Sequence, residues 1–499
     1  MVVLSQYGCS TEAFSQVPSD CASSRGMMFN PNTSSTWVDA GLYYINQNGV
    51  GLEANLGYVQ AADFGLDTLG LGLVAGADGP TLEKQVVGGI ATASPFYLGI
   101  FGLGIQPVNF TTLGNSSTPT FFQSLKDQGY IPSLSWSYTA GAIYRLKEVY
   151  GQLIFGGYDT SRFVESGVSF TMAVDATRDI VVALQSIVYS GGTETSLLSS
   201  PILTFIDSTD PNIWLPESAC KAFESAFGIT LDNKTGLYLV NDSHHEQLLL
   251  QNSQVSFVIS DTLVGGSTVT VTLPYQAFDL MAQYPLVSNT SYYFPLKQAT
   301  NETQYTLGRT FLQEAYLTVD YERRNFTVSQ CAWDAGATSH IVPIESIDFV
   351  PPSPSNSAAT ANPTSSSSSS KHGISSGAIA GIVIGVVAAF SIAGLAFFFL
   401  RRKRKTDEGI QPMPEDNMSS YETTLETLPD GSKVYQLHSI QKVPERHELE
   451  AAVSRRLPGP GGVSEAGSEI VIGELDAGRV GTELDASRTA TPSVGGAGA

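Results

Sequence analysis

A carboxylate directly follows a predicted buried strand in the stretch "ILTFIDSTDPNIWLP", residues 202–216. Residues 202–206 are mostly apolar and partly β-branched, which is typical of a strand, and Asp207 comes immediately after them. A charged group at the end of a buried strand is costly unless it is paired. Asp207 is therefore a candidate for general acid–base chemistry, and that chemistry needs a partner group.

The charge balance limits what the chain can bind. Its 499 residues carry a formal net charge of −21, with 42% hydrophobic and 15% charged residues. This length has room for two or three domains with cores of their own. An acidic surface repels phosphate groups, so the composition disfavours nucleic acid as a partner.

The composition changes sharply after the N-terminal region. Residues 351–371 are rich in Ser and Pro and predict a flexible stalk. Residues 377–400 contain no charge over 24 positions, which is long enough to cross a lipid bilayer. The basic run 401–405 follows at once, so the positive-inside rule places the N-terminal part outside and the tail in the cytosol. We expect a single-pass membrane protein with a disordered cytoplasmic tail.

Small residues recur at every fourth position along one face of the predicted span, at Gly377, Gly381 and Gly385. Such a stripe favours self-association of membrane helices. The alternative is ordinary glycine usage in a membrane span.

Glycosylation sequons and cysteines agree with an exported N-terminal part. Only Asn417 lies in a sequon after the span, whereas sequons before it occur at Asn32, Asn109, Asn115, Asn233, Asn241, Asn289, Asn301 and Asn325. The four cysteines also precede the span, and their even number suits two disulfides in an oxidising compartment: Cys9, Cys21, Cys220 and Cys331. Their spacing is wrong for zinc, so no metal site is expected.

The opening residues, "MVVLSQYGCSTE", have neither a basic start nor an apolar run long enough for a signal peptide. An exported domain needs such a signal, so we expect the natural chain to begin upstream of Met1. The alternative is that the span itself acts as an internal signal.

The region before the stalk predicts a mostly β fold with few helices. Strands are indicated at 181–189, 268–273 and 316–328, and the polar turn "DYERRN" makes the last of these a hairpin. Helices are indicated at 118–129 and 216–228, where a proline start, aromatic residues on one face and a closing glycine recur.

The order of these segments resembles the pepsin-like aspartic peptidase family. The first lobe of that family is matched in order by "FNPNTSSTW" (29–37), "FGLG" (101–104), "TPTFFQSLKDQGYI" (118–131) and "GQLIFGGYDTSRF" (151–163). Its second lobe is matched by "FIDSTDPNIWLP" (205–216) and "YTLGRTFLQEAYLTVDYERRNFTV" (305–328). The stalk, span and basic anchor resemble the membrane-tethered fungal branch of the family.

The resemblance implies a bilobal, mostly β fold with a cleft for an extended polypeptide and no cofactor. It implies the disulfides Cys9–Cys21 and Cys220–Cys331. We expect the following domains: first lobe 1–170, second lobe 171–346, stalk 347–376, transmembrane helix 377–400 and tail 401–499.

The family's reaction needs two carboxylates, one from each lobe, that share a proton. One acts as a general base on a water while the protonated one hydrogen-bonds the peptide carbonyl. Each lies in an Asp-Thr/Ser-Gly turn, and the resemblance assigns Asp207 and Ser208 to the second-lobe turn. Thr209 stands at the glycine position, where we expect a β-branched residue to resist the required backbone angles. Asp210 lies one position too far along to replace Asp207.

The first-lobe aspartate is not found, since the chain contains neither Asp-Thr-Gly nor Asp-Ser-Gly. Residues 2–4 resemble the end of the strand that follows this aspartate in the family. Tyr58 is the match for the tyrosine of the hairpin flap that covers the cleft, and the alternative is a tyrosine on a surface strand.

The leading hypothesis is a membrane-anchored pepsin-family homologue that binds polypeptide and is catalytically impaired in this chain. The first alternative is an active aspartic endopeptidase whose signal, propeptide and first aspartate lie outside this sequence. The second is a surface sensor or adhesin that signals through the tail.

Overall fold

The computed structural model describes residues 1–45, 55–58, 60–72, 79–114, 116–145, 151–350, 420–427 and 433–440. They belong to one compact unit, Met1–Pro444, and a second unit, Glu445–Ala499, lies outside the described residues. The predicted span with its glycine stripe also lies outside them. None of the described helices is long and apolar enough to cross a membrane.

Strands dominate the described part of the chain. Up to residue 171 they are β1 (Val2–Val3), β2 (Val38–Tyr44), β3 (Ala61–Gly70), β4 (Thr81–Ile90), β5 (Val108–Asn109), β6 (Ser117–Thr118), β7 (Ser135–Thr139), β8 (Gln152–Phe155), β9 (Gly157–Asp159), β10 (Phe163–Val164) and β11 (Phe170–Thr171). The next are β12 (Val181–Ser190), β13 (Thr195–Ser196), β14 (Ile202–Ile206), β15 (Ile213–Leu215), β16 (Thr230–Asp232), β17 (Leu237–Val240), β18 (Gln254–Ser260) and β19 (Thr268–Pro274). The last are β20 (Leu280–Ala282), β21 (Ser291–Phe294), β22 (Leu296–Gln298), β23 (Thr306–Leu307), β24 (Ala315–Asp320), β25 (Asn325–Cys331), β26 (Ile341–Pro343), β27 (Ser420–Thr427) and β28 (Lys433–Ile440).

The described α-helices are short, and two of them lie where the sequence indicates. They are α1 (Cys21–Ser24), α2 (Phe121–Asp127), α3 (Glu217–Phe227) and α4 (Asp242–Gln251). The Thr120 hydroxyl accepts the backbone N–H of Gln123 and so caps α2. Helix α3 follows Pro216 and stops at Gly228, whose φ of 65° is left-handed. Both predicted helices are confirmed, as are the predicted strands at β12 and β19 and the β24–β25 hairpin.

Each lobe has its own sheet, and a third sheet joins them. The first-lobe sheet has the order β1-β4-β3-β2, and the main second-lobe sheet has the order β19-β18-β12-β14-β23-β15-β22. The third has the order β10-β25-β24-β7-β8-β28-β27. Because β24 pairs with β7 from Leu317↔Tyr138 to Asp320↔Ser135, the end of the second lobe is built into the first. The two predicted lobes are therefore joined by a shared sheet.

The two largest hydrophobic cores of the described residues follow from this arrangement. The larger core runs through the shared sheet and the second lobe, and it includes Phe122 of α2, Phe155 of β8, Phe223 of α3 and Phe326 of β25. A smaller core lies under the first-lobe sheet and consists of Val3, Ile45, Ala62, Ile90 and Phe96. Residues 2–4 thus form a strand end, as predicted, that packs into the first lobe.

One of the two implied disulfides is confirmed and the other is wrong. Cys9 and Cys21 are bonded, with 5.9 Å between their Cα atoms. Cys220 and Cys331 are both free and buried. Cys220 lies on α3 with its sulfur 3.5 Å from the Lys297 carbonyl oxygen of the second-lobe sheet. Cys331 lies in the shared sheet, 3.3 Å from the Thr139 hydroxyl. The two thiols are therefore packed into different sheets, and burial raises the pKa of each to about 12.

Two strands lie in the segment predicted to be disordered. β27 and β28 form an antiparallel hairpin, and β28 pairs with β8 from Tyr435↔Phe155 to His438↔Gln152. The residues between the two strands include "PDGS", a strong turn sequence, and both strands are rich in β-branched and aromatic residues. The prediction of disorder overlooked this local pattern.

Arg25 fixes the loops beneath the first lobe. Its guanidinium is fully buried and donates hydrogen bonds only to backbone carbonyls. The acceptors are those of Gly8, Ala91, Thr92, Phe96 and Tyr97. The guanidinium carbon also lies 5.7 Å from the ring centroid of Phe14 and 5.5 Å from that of Tyr97. One side chain thus satisfies carbonyls from two segments that are distant in sequence, Gly8 and residues 91–97.

We expect Arg25→Met to lower the free energy of unfolding by at least about 3 kcal/mol, because it leaves several buried carbonyls unpaired. Urea unfolding followed by tryptophan fluorescence measures the change. The matched control is Arg323→Met, which breaks a partly exposed ion pair to Asp320 and should cost about 0–1 kcal/mol. Equal losses in the two variants would contradict this role for Arg25.

Candidate active site

Asp207 lies where the sequence places it, at the end of the buried strand β14. Strand β14 pairs with β12 on one side and runs parallel to β23 on the other. The Asp207 backbone N–H donates to the Leu307 carbonyl at 3.1 Å, which continues the pairing with β23. Its carboxylate oxygen Oδ1 accepts the Thr209 N–H at 2.9 Å. This largely buried carboxylate is therefore held in a defined orientation by its own loop.

The loop after Asp207 is pressed against the loop after β23. A Cβ at Gly308 would lie 2.1 Å from the Asn212 carbonyl oxygen and 2.4 Å from that of Asp210. Only glycine permits this approach. The Arg309 N–H donates to the Asp210 carbonyl at 2.7 Å, and the Thr310 hydroxyl donates to the Pro211 carbonyl at 2.7 Å. The loop that carries Asp207 is consequently rigid over residues 207–212.

Thr209 does not strain this loop. Among the residues that the structure describes, the non-glycine residues with positive φ are Met27, Lys84, Asn252 and Arg324. Thr209 is not one of them, and its N–H makes the hydrogen bond to Asp207. The expectation that a β-branched residue would resist the backbone here is wrong, because this loop needs no left-handed conformation at that position. Ser208 is half-buried, and none of the hydrogen bonds described for this part of the chain uses its hydroxyl.

Asp210 is the most buried carboxylate of the loop, and sequence reasoning set it aside. Its Oδ1 accepts from the Asn212 backbone N–H at 2.6 Å and from the Asn212 side-chain amide at 2.9 Å. Its Oδ2 accepts the Tyr58 hydroxyl at 2.6 Å. Three donors thus offset the cost of burying this charge. The sequence Asp-Pro-Asn after Asp207 could have indicated this turn. An Asp side chain readily accepts a hydrogen bond from the backbone N–H two residues later.

Tyr58 reaches from the first lobe to this loop. Its ring packs edge-on against Phe96, with 5.8 Å between the centroids, while its hydroxyl bonds Asp210. Burial and then the charges of Asp210 and Asp207 raise the pKa of Tyr58 well above its usual value. The phenol therefore remains a hydrogen-bond donor over the whole pH range of a folded protein. Tyr58 is placed beside the candidate catalytic loop, as a residue covering the cleft would be.

Two further contacts cross between the lobes. The Gln304 side-chain amide donates to the Asn55 carbonyl at 2.6 Å. The Tyr284 hydroxyl lies 3.0 Å from the Ser15 hydroxyl, inside the loop closed by the Cys9–Cys21 disulfide. The lobes thus approach each other both near Asp207 and at the disulfide loop.

The first-lobe counterpart of Asp207 is not supplied by β1. Val2 and Val3 pair in parallel with Gly89 and Ile90 of β4, and Leu4 bonds the Ile90 carbonyl. None of these residues bears a carboxylate. Among the described residues, no cluster of three or more His, Cys, Asp or Glu side chains could hold a metal ion.

The predicted glycosylation sites are mostly at the surface. Asn115 lies outside the described residues and Asn325 is half-buried in β25. The exposed ones are Asn32, Asn109, Asn233, Asn241, Asn289 and Asn301. Exposure is compatible with modification, and modification itself stays a prediction.

This fold and loop define a class of mostly β proteins in which two lobes share a sheet and an ordered aspartate ends a buried strand. The sequence profile of the eukaryotic aspartyl proteases matches residues 9–331. The chain therefore belongs to the eukaryotic aspartyl protease family. Family membership implies a polypeptide as the bound substrate.

No curated protein matches the chain. Among solved structures, an aspartic proteinase from Irpex lacteus is similar, with a TM-score of 0.41 and 19% identity over 61% of this chain and 85% of that one.

We expect Thr209→Gly to lower the free energy of unfolding by about 0.5–1 kcal/mol, since glycine adds backbone entropy to the unfolded chain without relieving strain in the folded one. Urea unfolding measures the change, and Thr209→Ala is the matched control with nearly unchanged stability. A gain in stability for the glycine variant would show that Thr209 strains the loop.

Proposed function

We propose that this chain is a membrane-anchored aspartic protease homologue whose cleft binds extended polypeptide but does not cleave it. The proposal is supported by an ordered Asp207 at the end of β14 and by the absence of an Asp-Thr/Ser-Gly turn among the described first-lobe residues. Peptide hydrolysis of this type needs a carboxylate and a carboxylic acid at once. Asp207 supplies one of these two groups.

Asp210 does not make up the deficit. Its two carboxylate oxygens are already engaged by Asn212 and Tyr58, and it lies in the same loop as Asp207 instead of facing it from the other lobe. Asp207 and Asp210 therefore do not form a site in which a water lies between two opposed carboxylates. Polypeptide binding stays in the proposal, since membership of the family implies a polypeptide substrate.

We expect no cleavage of an unfolded protein substrate by the purified full-length chain between pH 3 and pH 7. The measurement is release of labelled peptides from fluorescein–casein, with and without pepstatin. Asp207→Asn serves as the matched control and should give the same background as the unchanged chain. Pepstatin-sensitive turnover that Asp207→Asn abolishes would overturn the impairment and favour the active endopeptidase.

The anchoring part of the proposal rests on the uncharged segment 377–400 and the basic run 401–405. It places the lobes outside or in the lumen and the tail in the cytosol. In that topology β28 and β8 lie on opposite sides of the bilayer. The β8–β28 pairing and the anchored topology therefore exclude each other in one molecule, and a topology experiment separates them.

We expect protease added to sealed microsomes to remove an epitope tag placed after Ala499 while the lobes stay protected and glycosylated. Immunoblotting shows whether the tag is present at the C-terminal end. The change in mobility after endoglycosidase treatment shows whether the lobes are glycosylated. Protease together with detergent is the control. Detergent opens the microsomes, so the lobes should then be accessible to the protease as well as the tail. A tag that is protected until detergent is added would contradict the anchor and support pairing of β28 with β8.

A further inference from the structure

Arg309 is an exposed cation in an otherwise buried part of the second lobe. Residues 306–308 and 310–312 are buried, whereas the Arg309 side chain is exposed. Its backbone is fixed, because its N–H donates to the Asp210 carbonyl at 2.7 Å and the preceding glycine packs against the same loop. A rigid segment therefore holds this charge at the surface.

Arg309 lies close to Asp207 in the fold. The Asp207 N–H donates to the Leu307 carbonyl at 3.1 Å. Arg309 follows Leu307 by two residues, so the Cα atoms of these two residues are at most about 8 Å apart. Arg309 is the only Lys or Arg in residues 200–216 and 299–312, which include β14, β23 and the loops after them. The positive charge that these segments bring near Asp207 therefore belongs to Arg309 alone.

The charge of Arg309 acts on the same buried phenol as the charge of Asp210. Burial raises the pKa of Tyr293 to about 12, the Arg309 charge opposes this rise, and the Asp210 charge adds to it. Tyr293 also interacts electrostatically with Tyr58 of the first lobe. The Arg309 guanidinium is therefore within electrostatic range of the contact that joins the lobes at Tyr58.

The Arg309 guanidinium has no carboxylate partner in the part of the chain that the structure describes. Among the described residues, no hydrogen bond or ion pair uses it. Arg145, by contrast, pairs with the buried Glu314 at 2.7 Å. Asp210 is not available to Arg309, because three donors already engage both of its carboxylate oxygens. The guanidinium is therefore available to a carboxylate that a bound molecule supplies.

We propose that Arg309 is a specificity-determining residue that binds an acidic side chain of the polypeptide lying along Asp207. This inference rests on the proposed polypeptide-binding function, and it names the ligands as polypeptides with Asp or Glu close to the residue at Asp207. A guanidinium can hold a carboxylate through two parallel N–H···O bonds. An exposed pair of this kind changes the dissociation constant by up to about fivefold.

The net charge of the chain acts against acidic peptides, so the test must separate it from Arg309. The formal charge of −21 repels the whole of an acidic peptide over a long range. Arg309 acts only on a side chain at one place. Two peptides with the same net charge but a different position of the acidic residue therefore distinguish the two effects.

The test compares the full-length chain with Arg309→Gln and Arg309→Glu, which keep the backbone bond to Asp210. The probes are four fluorescein-labelled peptides of equal length with a central Leu-Phe pair. They carry Glu beside this pair, Glu at the far end, Gln beside the pair, or Lys beside the pair. Fluorescence anisotropy at pH 7, where Glu is ionised, gives each dissociation constant. The matched control is Lys221→Gln, which removes the same charge from an exposed ion pair on α3.

We expect the unchanged chain to bind the peptide with central Glu about fivefold more tightly than the peptide with terminal Glu. Arg309→Gln should bring this ratio to about one, and Arg309→Glu should bind the peptide with central Lys more tightly than the one with central Glu. Lys221→Gln should keep the fivefold ratio. Added salt should lower the ratio for the unchanged chain, because it screens an exposed ion pair.

The possible results separate this inference from the function on which it rests. Equal binding of the two Glu peptides, or tighter binding of the Lys peptide by the unchanged chain, overturns the inference and keeps the polypeptide-binding function. An equal loss for all four peptides in Arg309→Gln also overturns it, because Arg309 would then support the loop without selecting the peptide. No binding of any peptide by the unchanged chain overturns the polypeptide-binding function together with the inference.

Discussion

The site depends on the close passage of two second-lobe loops at Gly308. Because no Cβ is present there, the chain after β23 lies directly against the carbonyls of Asp210 and Asn212. Backbone and side-chain hydrogen bonds from Arg309 and Thr310 then fix the loop that follows Asp207. The orientation of Asp207, the burial of Asp210 and the contact with Tyr58 all follow from that one backbone approach.

The two lobes are held together by shared strands and by a few polar contacts. The β24–β25 hairpin belongs to the end of the second lobe, yet it pairs with β7 of the first. This permanent connection lets the remaining contacts be small, and the bonds of Tyr58 and Gln304 join only single side chains.

Buried polar groups carry much of the specificity of this fold. Arg25 satisfies five carbonyls without a carboxylate partner, and Asp210 is satisfied by three donors without a cation in direct contact. Unpaired groups in these places would be costly, so each site strongly disfavours alternative arrangements of its loops. The free thiols of Cys220 and Cys331 are weaker hydrogen-bonding groups, and each is buried beside a single described partner type, a carbonyl oxygen for Cys220 and the Thr139 hydroxyl for Cys331.

Local sequence determined the elements and their order. Helix α2 with its Thr120 cap, helix α3 with Gly228, the β24–β25 hairpin and the strand that ends at Asp207 are all set by neighbours a few residues apart. The order of these segments was also enough to indicate the aspartic protease family, and the resemblance to that family implied the Cys9–Cys21 disulfide that the structure contains.

Only the tertiary structure decided which distant groups meet. Cys220 packs from α3 against the second-lobe sheet, whereas Cys331 lies in the shared sheet. Tyr58 contacts Asp210 across 152 positions of sequence. Thr209 keeps an ordinary backbone because the neighbouring loop supplies the close approach at Gly308. Contacts of this kind depend on how whole sheets are placed. That placement is set by the summed packing of both lobes, which no local pattern of residues encodes.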